Sequence, residues 1–155
     1  MPRRRGVIGL GNPDRGDDAV GVRVVRALRG RTPEDVTLLE GTQAPLFVFE
    51  QLDKFDTLIL VDAVRSDARA GTVYCFDGRE IPANIRANAI SSHGLSVHDA
   101  IGLGEALGRL PEVVKVVGIE AAGFDFGAAP SSEVTAAIDA AVRTVLELIR
   151  VTEEK

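Results

Sequence analysis

The segment Thr57-Leu58-Ile59-Leu60-Val61 is almost wholly apolar and ends on a carboxylate, Asp62. A strand with one wet face alternates apolar and polar residues. An unbroken apolar run belongs to a strand covered on both faces, as in a parallel sheet with helices above and below. Gly6–Leu10, Val36–Leu39, Thr72–Phe76 and Val113–Ile119 read as further short strands. The segments between them carry helical spacing. Val20, Val24, Val25 and Leu28 share one face of a helix over about Asp18–Arg29, ended by Gly30. Leu46, Phe47, Phe49, Glu50 and Leu52 suggest a short helix beginning near Pro45. Ser96–Leu110 reads as a helix with Val97, Ile101 and Leu107 inward, weakened by Gly102, Gly104 and Gly108. Ser131 or Ser132 caps a last helix with Val134, Ile138, Ala141, Val142, Val145 and Ile149 on one face.

Residues 64–71 join two strands but are too few for a helical crossover, which takes about a dozen or more. The strand Thr72–Phe76 is therefore expected to run antiparallel to the rest. The segment from Asp77 to Gly94 shows no clear period and reads as a long loop. The element order β-α-β-α-β-β-α-β-α gives an α/β fold, a three-layer α/β/α sandwich. Such sheets bind ligands beyond the carboxyl ends of their strands, where the strand order reverses. The first and third strands are the natural neighbours there, which draws Asp18 and Asp62 toward one cleft.

Composition narrows the function classes. The 155 residues suit one domain, 1–155, and hold one cysteine and two histidines. Cys75 alone makes neither an intrachain disulfide nor a cysteine-rich zinc site, and its place in a strand reads as a small buried apolar residue. Any metal site must draw on carboxylates and at most two imidazoles. The net charge of −5 and the scattered basic residues disfavour nucleic acid. Arg3-Arg4-Arg5 reads as a solvated lead-in to the first strand, because the apolar run after it is too short for a signal segment. No run approaches the roughly 18 apolar residues of a membrane span, so no membrane partner and a cytoplasmic location are expected.

Several motifs carry possible chemistry. Gly9-Leu10-Gly11-Asn12-Pro13 resembles half of a dinucleotide fingerprint but lacks its third glycine, and there is no phosphate-loop lysine. Asp17 and Asp18 serve either as helix-terminal anions or, with Asp62, as part of a site. Asn12 is either a turn residue or a group that orients a ligand. His93 stands in Ser91-Ser92-His93-Gly94 at the edge of an irregular segment, where functional residues concentrate. His98 falls inside the following helix. Asp18, Asp62 and His93 form a set of two carboxylates and one imidazole that suits a borderline divalent ion such as nickel or zinc. No Gly-x-Ser-x-Gly elbow is present.

The stretch Gly9-Leu10-Gly11-Asn12-Pro13-Asp14-Arg15-Gly16-Asp17-Asp18-Ala19-Val20-Gly21 closely resembles the N-terminal motif of hydrogenase maturation proteases. Val61-Asp62-Ala63 and Ser92-His93-Gly94-Leu95 resemble its two later motifs, in the family's order and at its approximate spacing. The resemblance covers nearly the whole chain. It implies a phosphorylase/hydrolase-like fold with a mixed five-stranded sheet. It also implies an endopeptidase of aspartic or metal-dependent type that trims the C-terminal extension of a NiFe-hydrogenase large-subunit precursor. In that reading Asp18, Asp62 and His93 are both the catalytic and the metal-addressing residues. The nickel is supplied by the precursor, with no organic cofactor. Asp17, Asp18 and Asp62 would gather negative charge where that cation is expected. Ala19 departs from the glycine often found after the acidic pair: it is strained if the position needs positive φ and favourable if it is helical.

Two rivals use the same residues. Peptidyl-tRNA hydrolases also carry Gly-Leu-Gly-Asn-Pro, but the histidine run that should follow is absent, and a salt-dependent tRNA-binding measurement separates the two. A non-catalytic nickel-sensing chaperone would hold the precursor without shortening it, which its mass reveals.

Overall fold

The computed structural model describes residues 3–41, 44–87, 97–125 and 127–153. Five strands, β1 (Arg5–Leu10), β2 (Val36–Gly41), β3 (Thr57–Val64), β4 (Val73–Asp77) and β5 (Val113–Glu120), form one sheet in the order β2-β1-β3-β5-β4. Four strands are parallel, and β4 pairs antiparallel with β5 alone. The short link between β3 and β4 thus dictates the antiparallel edge, as its length predicts. The order reverses between β1 and β3.

Helices cover both faces. The residues Val7, Ile59, Val61, Val117 and Ile119 pack with α1 (Val20–Leu28) and α5 (Ser132–Glu153). On the other face Ile8, Leu10, Leu58, Leu60, Val114 and Val116 pack with α2 (Ala44–Gln51) and α4 (Val97–Ala106). This double coverage is why β1 and β3 are apolar along most of their length. The fold is the expected α/β sandwich. No described helix is long and apolar enough to cross a membrane.

Several local expectations need correction. A short helix, α3 (Ala83–Ala87), lies within the segment read as loop. The helix expected over Ser96–Leu110 ends at Ala106, and Leu107, expected inward, is exposed. The cause is Gly108 at φ 68°, whose N–H donates to Glu105 O while Arg109 N–H donates to Gly104 O. That pair of bonds is a Schellman stop, so Gly108 ends the helix rather than merely weakening it. Arg5 is not solvated: it opens β1 and is 4% exposed, with its guanidinium against Asp35 (2.9 Å) and donating to Ile149 O (2.7 Å). Cys75 is exposed, because it sits on the sheet's edge strand and not in the core.

Candidate active site

The loop after β1 is shaped by two constraints. Gly11 has φ 119°, which side chains rarely adopt, and a Cβ there would collide with the Asp18 carbonyl oxygen and lie 3.0 Å from Asp18 Oδ1. Asn12 then makes a tight turn, its Oδ1 accepting from Asp14 N (2.9 Å). Its own N–H donates to Asp18 Oδ2 (3.0 Å). The Asn12 side chain is thus a turn residue, and its backbone aims the Asp18 carboxylate.

Residues Gly16–Ala19 form one 3₁₀ turn leading into α1. Ala19 lies at φ −75°, ψ −11°, an ordinary helical conformation, and is fully buried. The position does not need positive φ, so the alanine is unstrained there.

The adjacent carboxylates separate sharply. Asp17 is 1% exposed and turns away from the cleft. Its Oδ2 accepts from Ala122 N (2.7 Å), Gly123 N (3.2 Å) and Ser131 Oγ (3.0 Å), and its Oδ1 accepts from Ser131 N (2.6 Å). Ser131 Oγ in turn accepts from Val134 N (3.3 Å), capping α5. Asp17 therefore ties the first loop to the loop after β5. The expectation that it adds charge to the cleft is corrected: its oxygens are taken up by four donors.

Asp18 and Asp62 do come together. Asp62 lies near the carboxyl end of β3, on the same face as Leu58 and Leu60. Protein crowds its carboxyl group, although the residue keeps some exposure. Burial first, and then the Asp18 charge, together push its acidity up to about 7, against a hydrogen bond from the Ala63 backbone. Asp18 is also raised, by burial, against the Asn12 N–H and the nearby Arg15 charge. Neither carboxylate forms an ion pair with a described residue. Two partly buried carboxylates that feel each other's charge favour sharing a proton, or a cation.

The third proposed ligand, His93, lies outside the described residues. Among the described residues no group of three His, Cys, Asp or Glu side chains is placed to hold a metal ion.

Sequence reasoning missed a polar cluster beside Asp62. Glu120 ends β5 and is 1% exposed. It accepts from Ser66 N (2.9 Å), Ser66 Oγ (2.5 Å) and Tyr74 Oη (3.0 Å). Gly118 pairs with Asp62 on one side and with Tyr74 on the other, so the three stand in one row across the sheet. The available signal was a carboxylate closing the apolar run Val113–Ile119, the pattern that singles out Asp62.

The chain was compared with known proteins. A family model described as hydrogenase maturation protease matches residues 22–148. Among curated relatives, the hydrogenase 2 maturation protease of Escherichia coli strain K12 is 34% identical over 149 residues, spanning 93% of this chain and 89% of that protein. The hydrogenase expression/formation protein HoxM of Azotobacter vinelandii is 29% identical, spanning 92% and 70% respectively. Among solved structures, the hydrogenase maturating endopeptidase HybD from E. coli superposes with a TM-score of 0.84 at 31% identity, covering 96% of this chain and 93% of that one. The NiFe-hydrogenase maturation protease HybD from Thermococcus kodakarensis superposes at 0.74 with 27% identity, covering 94% and 99%. A family model over most of the chain, and a curated relative 34% identical across most of both chains, show the lineage: the chain belongs to the hydrogenase maturation protease family.

Proposed function

We propose that this protein removes the C-terminal extension of a NiFe-hydrogenase large-subunit precursor after nickel has been inserted. Asp18, Asp62 and His93 would together address the nickel that the precursor carries. The observation behind this reading is the convergence of Asp18 and Asp62 with no described ion-pair partner, at the edge where an open α/β sheet binds its ligands. Such a pair is poorly satisfied alone and well satisfied by a cation. Nickel arriving with the substrate would complete it, so that docking depends on prior metal insertion.

The chemistry is peptide hydrolysis of the aspartic or metal-dependent type. A water attacks the scissile carbonyl carbon and gives its proton to a carboxylate. The tetrahedral intermediate then collapses, the C–N bond breaks, and the same carboxyl group returns the proton to the leaving amine. The substrate's nickel would serve as the docking ligand and could polarise the carbonyl. The reading places this work in the cytoplasm.

The decisive experiment incubates the purified protein with nickel-loaded and nickel-free precursor and follows the precursor's intact mass. Shortening of the loaded form alone is the expected result. Equal cleavage of both forms would refute nickel sensing. Tight complex formation with no mass loss would identify a holding chaperone instead.

A further inference from the structure

The rim above the acidic pair carries an arrangement that the hydrolytic reading does not use. Arg15, in the loop after β1, and Arg65, directly after β3, both approach the ring of Phe124, in the loop after β5. Their guanidinium carbons lie 5.8 Å and 5.5 Å from its centroid. Each guanidinium is attracted to the ring face, and the ring brings two like charges together at the surface, a place where an anion is favoured. Neither arginine forms a salt bridge with a described residue. Arg15 Nε donates to Phe124 O (3.0 Å), which fixes the plane of the guanidinium. Arg65 reaches Ala122 O only at 3.5 Å and is otherwise exposed. The outer donors of both forks are left for another partner.

The rim is built in advance. Gly16 N donates to Ala128 O (3.1 Å), Gly127 N to Asp14 O (2.8 Å), and Asp17 bonds the loop after β5 four times. Little ordering of the loops that carry Arg15 and Phe124 is left for a ligand to impose, and Arg65 is the side chain that it would order. The cleft therefore has a negative floor, Asp18 and Asp62, and a positive rim, Arg15 and Arg65. The Arg15 charge already acts on Asp18. A ligand complementary to both must carry a cation and, beside it, an anion with the planar shape of a carboxylate.

We infer that Arg15 and Arg65 form a carboxylate-binding pair that seats an acidic group of the precursor peptide next to its metal. This assignment rests on the proposed function for the identity of the peptide. The carboxylate is either an Asp or Glu side chain near the cleavage site or the terminal carboxylate of the extension. Both present the same chemistry to the forks.

The test measures kcat and KM for cleavage of nickel-loaded precursor by the wild type, Arg65→Gln and Arg15→Gln. The Arg65→Gln variant is the informative one for folding reasons, since its side chain is exposed. A rise in KM of about tenfold, with a smaller fall in kcat, is expected for it. The deficit should shrink against one of two altered precursors. Neutralised Asp and Glu side chains identify the side-chain source, and glycines appended to the C-terminus identify the terminal one. An unchanged KM, or an equal deficit against every precursor, overturns the assignment. Should the wild type cleave no precursor, the proposed function fails while the rim is still testable. Arg Nε–Hε resonances are then followed during titration with N-acetyl-glutamate amide, with N-acetyl-glutamine amide as control. Shifts at Arg15 and Arg65 for the glutamate probe alone support the pair, and equal or absent shifts refute it.

Discussion

Gly21 on α1 rests directly against the backbone of Val61 on β3: a Cβ on Gly21 would run into the carbonyl oxygens of Val61 and Leu10. Gly9 reciprocates, since a Cβ there would strike the Gly21 carbonyl oxygen. The helix thus meets β1 and β3 backbone to backbone, one residue before Asp62. This close approach fixes where the 3₁₀ turn bearing Asp18 stands relative to the end of β3.

Gly21→Ala should therefore cost both stability and activity. Overpacking at backbone contact is expected to lower the unfolding free energy by roughly 1–3 kcal/mol. Chemical denaturation measures this, and a wild-type midpoint would show that the helix can retreat without loss.

The two adjacent aspartates should respond differently. Asp17→Ala strands the N–H groups of Ala122, Gly123 and Ser131 and should lose roughly 2–4 kcal/mol of stability. Asp18→Asn should leave the unfolding midpoint near wild type while lowering precursor processing by at least roughly 10–100-fold. Thermal melts paired with a cleavage assay separate them. Equal stability losses would remove the distinction.

Asp62 gives a pH signature. Its acidity in the folded protein, about 7, lies above its ordinary value of 3.8. Below 3.8 both folded and unfolded chains hold the proton and there is no penalty. Between 3.8 and about 7 the unfolded chain releases it first, so stability falls as pH rises. Above 7 the penalty is constant. Asp62→Asn removes it, so the variant should exceed wild type by up to about 4 kcal/mol at pH 8, with the gain vanishing near pH 4. Urea unfolding at the two pH values checks this. A gain that grows toward acid would have the wrong sign.

Ala19 makes a prediction against the family's habit. Its helical φ and complete burial mean that Ala19→Gly should lose about 1 kcal/mol through backbone freedom and a lost methyl contact. A stabilised glycine variant, seen by differential scanning calorimetry, would contradict the helical assignment.

Most of what depended on local pattern was readable in the sequence, the short helix α3 and the Gly108 stop being the exceptions. The apolar run of β3, the short link to β4 and the helical faces of α1 and α5 yielded the sandwich and its antiparallel edge. The same reasoning brought Asp18 and Asp62 together, since the order reverses between β1 and β3. What else stayed hidden depended on partners distant along the chain. Asp17 reads as a helix-terminal anion that adds charge to the cleft until Ser131 claims it. Arg5 reads as solvated until Asp35 and the end of α5 enclose it. Cys75 reads as core until β4 is known to be an edge, and Glu120 is silent until Ser66 and Tyr74 surround it.

The bond from Arg5 to the Ile149 carbonyl has a practical corollary. It joins the start of the first strand to the last turns of the final helix. Both lie at the amino end of the parallel strands, the end opposite Asp18 and Asp62, about 20 Å away along a six-residue strand. A substitution that breaks this contact, such as Arg5→Gln, would loosen the far end of the sheet and leave the acidic cleft standing.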